Sequence, residues 1–286
     1  MTSGSARPRG FVQTLSRGRA LLEVFDEHRR EWTLSELAST LHTNKPTARR
    51  LPQTGVVLGY LTNRSRQRFR PGPRAFDLGR RYPSPQDLPD AARPVLQGQS
   101  ETTGESTHLP VRDGWEVVYL VRIPAALRIL PVNLQVGSRL SLHVASHDKA
   151  LLGEVSESEL TAILGDPPGM AWSERTRQSP QALWPALLSL RTYGYAVSVN
   201  EREPHLCSIA AALHNVDGVV VASVNLSTHA VHVPLDRLLG PLAEAILSAR
   251  GQLDAPRLVG TGGAVAGEFA HLPVVTSPVT RLTDTS

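Results

Sequence analysis

The sequence predicts an α+β protein in two parts: a small helical head closed by a β-hairpin, and a larger mixed α/β body. Three observations carry this reading. Residues 1–81 hold 16 basic and 6 acidic side chains, whereas residues 82–286 hold 14 and 20. Two helix-start signals, at Thr33 and Asn44, stand close together ahead of a polar turn between short apolar segments. Prolines 71, 73, 83, 85 and 89 then interrupt the periodicity, and strand-like alternation follows.

A chain of 286 residues has room for two hydrophobic cores. With 41% hydrophobic and 20% charged residues the composition is globular. No apolar run approaches the ~20 residues of a membrane span. Arg7 and Arg9 precede no apolar segment of the kind a secretory signal needs. Cys207 is the sole cysteine, which excludes an intramolecular disulfide and fits a reducing cytoplasm. Lys45 and Lys149 are the only lysines, so the arginine excess reads as genome composition rather than phosphate recognition.

Residues 1–10 are small, polar and basic and read as disordered. Leu15, Leu22 and Phe25 mark a first helix. Thr33-Leu34-Ser35-Glu36 is a capping box opening a second, with Leu34, Leu37, Ala38 and Leu41 on its apolar face. A turn at His42-Thr43 leads to Asn44, which caps a third helix starting at Lys45-Pro46. Ala48, Leu51 and Leu58 are expected to face the core. Tyr60–Thr62 and Arg68–Arg70 flank a turn, as in a small wing. The linker falls near residues 71–90, and a helix through Ala91–Gln99 opens the body.

In the body, Thr107–Arg112 and Glu116–Arg122 form a hairpin through Asp113-Gly114. A further strand is expected through Arg128–Asn133. Ser156-Glu157-Ser158-Glu159 is another capping box, and Ser179-Pro180 opens a helix with Leu183, Leu187 and Leu190 that ends at Gly194. Tyr195–Val199, Ser208–Leu213 and Val219–Ser227 read as strands. One amphipathic helix covers about Leu235–Ala249. From Gly251 onward, residues 251–286 lack periodicity and read as a disordered tail.

A basic helix behind a capped helix and a turn, followed by a basic hairpin, suits double-stranded DNA. The second helix enters the major groove while the first braces it. Lys45, Thr47, Arg49, Arg50 and Gln53 are the candidates on that helix, since Arg and Lys read guanine edges or hold phosphates and Gln reads adenine. Arg64, Arg66 and Arg68 in the wing are placed to meet the backbone or minor groove.

The segments Phe11–Gly18, Leu34–Ala38, Ala48–Leu51 and Leu58–Tyr60 resemble the N-terminal domain of the IclR family of bacterial transcriptional regulators. The resemblance continues through Ala92–Leu96, Glu116–Tyr119, Val136–Leu140, Gly194–Val197 and Ser208–Ala210. Val132–Leu134 and Asn225–Ala230 are similar to the branch containing regulators of protocatechuate and 4-hydroxybenzoate breakdown. The resemblance implies a winged helix-turn-helix domain over residues 11–72, a linker and linker helix over 73–99, and a GAF-like α/β effector-binding domain over 100–250. It also implies a homodimer or tetramer on promoter DNA; separately, no cofactor and no membrane partner are expected.

Five departures from the family pattern bear on function. Pro52 lies inside the recognition helix, where it removes an amide donor and clashes with the Ala48 carbonyl, predicting a kink or an early end. Gly55 stands where the family usually has leucine, and His42-Thr43 replaces Gly-Leu in the turn. Asp148 and His205 occupy positions that are usually glycine, where a left-handed or close-packed backbone is expected.

By motif position, Ser146, His147, Ser198, Ser208, Asn225 and Ser227 resemble residues lining the effector pocket, with Ile129 and Val132 as its apolar wall. A carboxylate at Ser146, His147 and nearby helix-start amides suits a small organic acid, aromatic or dicarboxylic. Arg128 is read as a surface residue rather than a counter-ion. His143 and His147 are four apart, but the strand-to-helix break between them argues against a metal pair. No phosphate loop, zinc-protease motif or nucleophile elbow is present, and Ser146-His147-Asp148 is consecutive rather than a convergent triad, so no enzyme activity is expected. Two alternatives stay open: a ligand-binding protein whose head is impaired by Pro52 and Gly55, and a metal-dependent sensor or enzyme.

Overall fold

The computed structural model describes residues 10–26, 29–65, 68–80, 88–125, 134–143, 145–164, 173–177, 179–231 and 233–254. The chain divides into two compact units. The first contains α1 (Gln13–Glu23), β1 (Trp32–Thr33), α2 (Leu34–Thr40), α3 (Lys45–Val57), β2 (Leu61–Ser65), β3 (Arg68–Pro71) and α4 (Arg74–Arg80). Its three strands are antiparallel in the order β1-β3-β2. Leu21, Val24, Trp32, Leu37, Leu61 and Phe69 form its core.

The start signals act as the sequence predicts. Glu36 N–H donates to Thr33 Oγ1 at 3.3 Å and Thr33 N–H to Glu36 Oε2 at 2.7 Å. Thr47 N–H donates to Asn44 Oδ1 at 3.0 Å. His42 takes φ +46 in the turn, with Thr43 N–H bonded to Ala38 O and His42 N–H to Ser39 O. That is a Schellman closure, in which a left-handed residue is needed and glycine is the unstrained choice.

Several expectations are corrected. α3 runs as one helix through Pro52, which is buried with Ala48 and Gly55 on the inner face. A Cβ on Gly55 would stand 3.0 Å from both Cγ and Cδ1 of Leu61, so the missing leucine side chain is replaced by Leu61 itself. Leu58 is 48% exposed, because the helix ends at Val57 and its capping residue turns outward. Leu15 is 73% exposed, and Leu21 takes the core position of α1. α4 lies within the segment assigned to the linker: Pro71 and Pro73 precede it rather than break it.

The second unit contains α5 (Leu88–Thr103), β4 (Ser106–Asp113), β5 (Glu116–Ile123), β6 (Arg139–Ser141), α6 (Ser146–Leu151), α7 (Glu157–Leu164), α8 (Pro180–Tyr193), β7 (Ala196–Val199), β8 (Leu206–His214), β9 (Val220–His229), α9 (Leu235–Leu239) and α10 (Pro241–Leu253). Its six-stranded antiparallel sheet has the order β6-β5-β4-β9-β8-β7. Alternation sends Ile209, Ala211, Leu213, Val224 and Leu226 to one face, against Leu96, Ile246 and Ala249 of α5 and α10. The opposite face carries Tyr119 with Leu151, Leu160, Leu183 and Leu187 of α6, α7 and α8. The result is a sheet covered by helices on both faces.

The helix expected over 235–249 is two helices, broken at Gly240 where ψ is −100° and Pro241 starts the second. A residue before proline is disfavoured in the helical region, which explains the break. Asp148 is helical rather than left-handed, whereas His205 does take φ +66. The strand expected over Arg128–Asn133 and most of the tail lie outside the described residues, although α10 extends past Gly251 to Leu253.

Candidate effector site and DNA-facing surface

The site is built on the sheet face that α6 covers. Antiparallel pairing sets two rows of residues across it. One runs Arg122, His108, Asn225 and Ala210 over β5, β4, β9 and β8. The next runs Ser106, Ser227, Ser208 and Ser198 over β4, β9, β8 and β7. Side chains paired in register share a face.

Simple alternation would put Arg122 on the face opposite Tyr119. The β4–β5 register instead passes from Leu109↔Val121 to Pro110↔Tyr119, leaving Leu120 as an extra residue. This β-bulge flips the parity of the strand. Val121 and Ile123 join the core on the α5 and α10 side, and Arg122 joins Tyr119 on the other.

A cleft opens there, lined by His108, Tyr119, Arg122, Leu134, Ala145, His147, Arg202, Leu206, Ser208 and Ser227. It holds about 390 Å³ of space counting its open mouth, though the enclosed part has room for about one water. A bound molecule of ring size therefore occupies the mouth or spreads the walls. Arg122 and Arg202 supply positive charge, and Leu134 and Leu206 supply apolar surface.

Behind the cleft a hydrogen-bond network is closed. Asn225 Nδ2–H donates to Ser146 Oγ at 2.9 Å, and Ser146 Oγ–H donates to Ser208 Oγ at 2.8 Å. Asn225 Oδ1 accepts from Ser227 Oγ at 3.0 Å and faces His108 Nδ1 at 3.1 Å. On the near side, Tyr119 Oη and His147 Nε2 are 3.1 Å apart. Burial, then the charges of Arg122 and Arg202, push His108 down to about 4. Burial, then His108, Arg202 and Lys149, hold His147 well below the usual histidine range. Burial, then Asp148, raises Tyr119. Both imidazoles are therefore neutral near pH 7, and the charge facing a ligand comes from arginine.

Of the residues expected in the pocket, His147, Ser208 and Ser227 line the cleft, and Ser146 and Asn225 stand one hydrogen bond behind it. Ser198 is buried beside Ser208 in the β7–β8 register. Ile129, Val132 and Arg128 lie outside the described residues. At the start of α6, Asp148 Oδ2 accepts Ala145 N–H at 2.7 Å and Ser146 N–H points to Ser208 Oγ at 3.4 Å. His108, Tyr119, Arg122, Arg202, Leu134 and Leu206 escaped the sequence reading. A lone arginine in the apolar run Glu116–Ile123 was the available signal for Arg122.

On the head, Arg49, Arg50 and Gln53 share the exposed side of α3, with Thr47 half-buried near its start. Arg68 is exposed on β3. Lys45 begins α3 and Arg64 lies in β2, whereas Arg66 falls outside the described residues. Among the described residues no group of three or more His, Cys, Asp or Glu is placed to hold a metal ion, and no helix is long and apolar enough to cross a membrane.

A winged helix-turn-helix with a basic recognition face, carried with a sheet domain that has a charged cleft, defines a ligand-responsive DNA-binding regulator. The IclR helix-turn-helix profile matches residues 14–65, and the profile of the bacterial transcriptional regulator IclR C-terminal domain matches residues 81–255. The chain belongs to the IclR family: it is a transcriptional regulator with a DNA-binding head and an effector-binding body. It is 29% identical to the Pca regulon regulatory protein of Pseudomonas putida over 243 residues, 85% of this chain and 83% of that protein. A Rhodococcus sp. RHA1 structure described as a transcriptional regulator superposes with TM-score 0.76 at 33% identity, covering 85% of this chain and 97% of that one. An IclR homolog of Microbacterium hydrocarbonoxydans, solved with 4-hydroxybenzoate, superposes with TM-score 0.75 at 23% identity over 85% and 98%.

Proposed function

We propose that the body binds a small aromatic acid in this cleft and that occupancy alters how a pair of heads engages promoter DNA. The carboxylate faces Arg122 and Arg202, and the ring lies against Leu134 and Leu206. The observation that carries this is the convergence of two arginines in a cleft whose histidines are neutral: Arg122 Nε is buried with no hydrogen-bond partner. A buried cationic donor without an acceptor is costly, and a carboxylate satisfies it. The aromatic class is supported by the Pca regulon relative and by the 4-hydroxybenzoate complex of the structural neighbour.

On this reading the DNA-binding domain spans residues 11–72, the linker 73–99 and the effector domain 100–250. Arg49, Arg50 and Gln53 read base edges, and Lys45, Thr47, Arg64, Arg66 and Arg68 hold the backbone or minor groove. The protein works in the cytoplasm without catalysis. It acts as a dimer or tetramer, since one recognition helix supplies few contacts and two half-sites supply affinity and register. Ligand and DNA are coupled only through differential affinity for two states.

The test is fluorescence anisotropy of the full chain on tiled DNA fragments around its own gene, at several salt concentrations, with and without 4-hydroxybenzoate. A fragment bound about 10³-fold tighter than scrambled DNA, shifted by the acid, supports the regulator reading. Equal, steeply salt-dependent binding to every fragment means phosphate attraction without readout. Acid binding with no DNA binding at all favours the head impaired by Pro52 and Gly55.

A further inference from the structure

Residues 200–205 join β7 to β8 and bring Arg202 to the cleft, with Leu206 beside it at the start of β8. Both ends of this loop are left-handed without glycine: Asn200 has φ +60 and His205 φ +66. The ends are tied to each other. Asn200 N–H donates to the Leu206 carbonyl at 2.9 Å, and His205 N–H donates to Asn200 Oδ1 at 2.9 Å. Such conformations persist where the surroundings over-determine them, and ligand clamps are one such place.

Glu201, the residue before Arg202, is gripped by side chain and backbone. Its carboxylate accepts from Lys149 Nζ at 2.6 Å, with Arg177 Nε 3.6 Å away. Its carbonyl accepts from a strap of chain at residues 173–177. Thr176 Oγ1–H donates to it at 2.6 Å, and Ser173 Oγ–H is shared between it at 2.9 Å and the Asn200 carbonyl at 2.7 Å. The strap aims its own hydroxyls: Ser173 N–H donates to Thr176 Oγ1 at 2.8 Å, and Arg175 N–H to Ser173 Oγ at 3.1 Å.

The Glu201 carbonyl and the Arg202 amide share one peptide plane. Fixing that carbonyl fixes the direction in which Arg202 leaves the loop. Arg122 lines the same cleft, so two like charges repel there until an anion arrives. We propose that Ser173 and Thr176 are positioning residues: without lining the cleft, they lock the 201–202 peptide so that Arg202 already faces the cleft when the acid binds. The inference rests on the acid-binding reading above and adds to it the device that preorganises one of its arginines. Affinity scales with the fraction of free protein that is already competent, so a strap whose loss leaves Arg202 in place about one-tenth of the time is worth about ten-fold in binding.

The experiment is a double-mutant cycle, read by isothermal titration of the full chain with benzoate. Ser173→Ala with Thr176→Val removes both hydroxyl donors and is expected to bind benzoate about ten-fold more weakly than the wild type. In an Arg202→Gln background the same two substitutions are expected to change affinity by less than about two-fold, because no guanidinium is left to position. Thr176→Ser keeps the donor and is expected to retain wild-type affinity. Ser173→Ala alone leaves one donor on the Glu201 carbonyl; it is expected to fall between, and it keeps the test readable if the paired variant does not fold. An equal loss in both backgrounds marks a merely structural role and overturns the proposal. Wild-type affinity in folded strap variants, with Arg202→Gln still weakened, overturns it too and leaves the acid site standing. Benzoate bound as tightly by Arg202→Gln as by the wild type, or not bound by the wild type, overturns the proposal together with the acid site it rests on.

Discussion

Asn225 on β9 and His108 on β4 face each other in register, with Asn225 Oδ1 3.1 Å from His108 Nδ1. Since Asn225 Nδ2 donates to Ser146 and to the Ile209 carbonyl, its oxygen is the acceptor, and His108 presents Nδ1–H to it. One amide thus orients an imidazole, Ser146 and Ser227 around the cleft. Asn225→Ala leaves these groups unpaired in a buried site. The expected cost is about 2–4 kcal/mol in chemical denaturation, with weaker acid binding as well. A change below about 0.5 kcal/mol, the size of an ordinary surface substitution, contradicts the network.

Acidification should destabilise the body. His108 is held at about 4 when folded, against an ordinary histidine value of 6.5. Between these values the unfolded chain binds a proton that the folded chain does not, so stability rises with pH. The contribution is complete above 6.5 and is lost as pH falls toward 4. It amounts to about 3 kcal/mol from His108 alone, and His147 acts in the same direction. Unfolding free energies measured from pH 7 to 4 should show this slope, and His108→Gln should flatten it.

The arginine pair should govern affinity and not folding. Arg122→Gln and Arg202→Gln are each expected to weaken benzoate binding about ten-fold or more, the scale of one lost hydrogen bond to a charged group. DNA affinity without ligand should be unchanged, because the substitutions lie in the sensing body. Benzoate binding that survives both substitutions would move the acid site elsewhere.

Lys149 is fully buried, with Nζ 2.6 Å from Glu201 Oε1 and 2.7 Å from the Val197 carbonyl. Burial lowers its pKa, and Glu201 works against that shift. The pair ties α6 to the loop that carries Arg202. Lys149→Met leaves the buried Glu201 carboxylate with Arg177 at 3.6 Å as its remaining cation and should cost about 3 kcal/mol, whereas Lys149→Met with Glu201→Leu should recover much of it. Thermal melts of both variants check the sign.

On the head, Arg49→Ala and Gln53→Ala should remove discrimination between operator and scrambled DNA while the fold persists, since both side chains are exposed on α3. Gly55→Leu should lower stability here. Its Cβ alone meets Leu61 at 3.0 Å, and the remaining side chain has to enter the same space. A raised melting temperature for Gly55→Leu runs against this packing.

Much of the fold was legible because its signals are local. The capping boxes at Thr33 and Ser156, the Asn44 cap, the Asp113-Gly114 turn and the Gly194 stop each involve residues within a few positions of one another. Side-chain period marked β8 and β9 for the same reason. Half of the cleft was legible too: His147, Ser208 and Ser227 follow a family pattern. The half lined by His108, Arg122 and Arg202 was not, because these residues lie on separate segments and carry no motif. At the start of α6 the Asp148 carboxyl folds back onto Ala145 N–H, a contact that spacing does not reveal.

By itself the sequence determined the two-part organisation, the basic recognition helix with its caps, and the order of most helices and strands, since short-range hydrogen bonding and burial period are written in neighbouring residues. Only the tertiary structure decided which side chains meet. The extra residue at Leu120 reverses the parity of β5 and delivers Arg122 to the face of Tyr119 and His147. The pairing of β4 with β9 then brings His108 to Asn225, 117 positions away. A bulge and a long-range strand pairing are won by the packing of the whole sheet, and a single residue of register is enough to move an arginine from one face to the other.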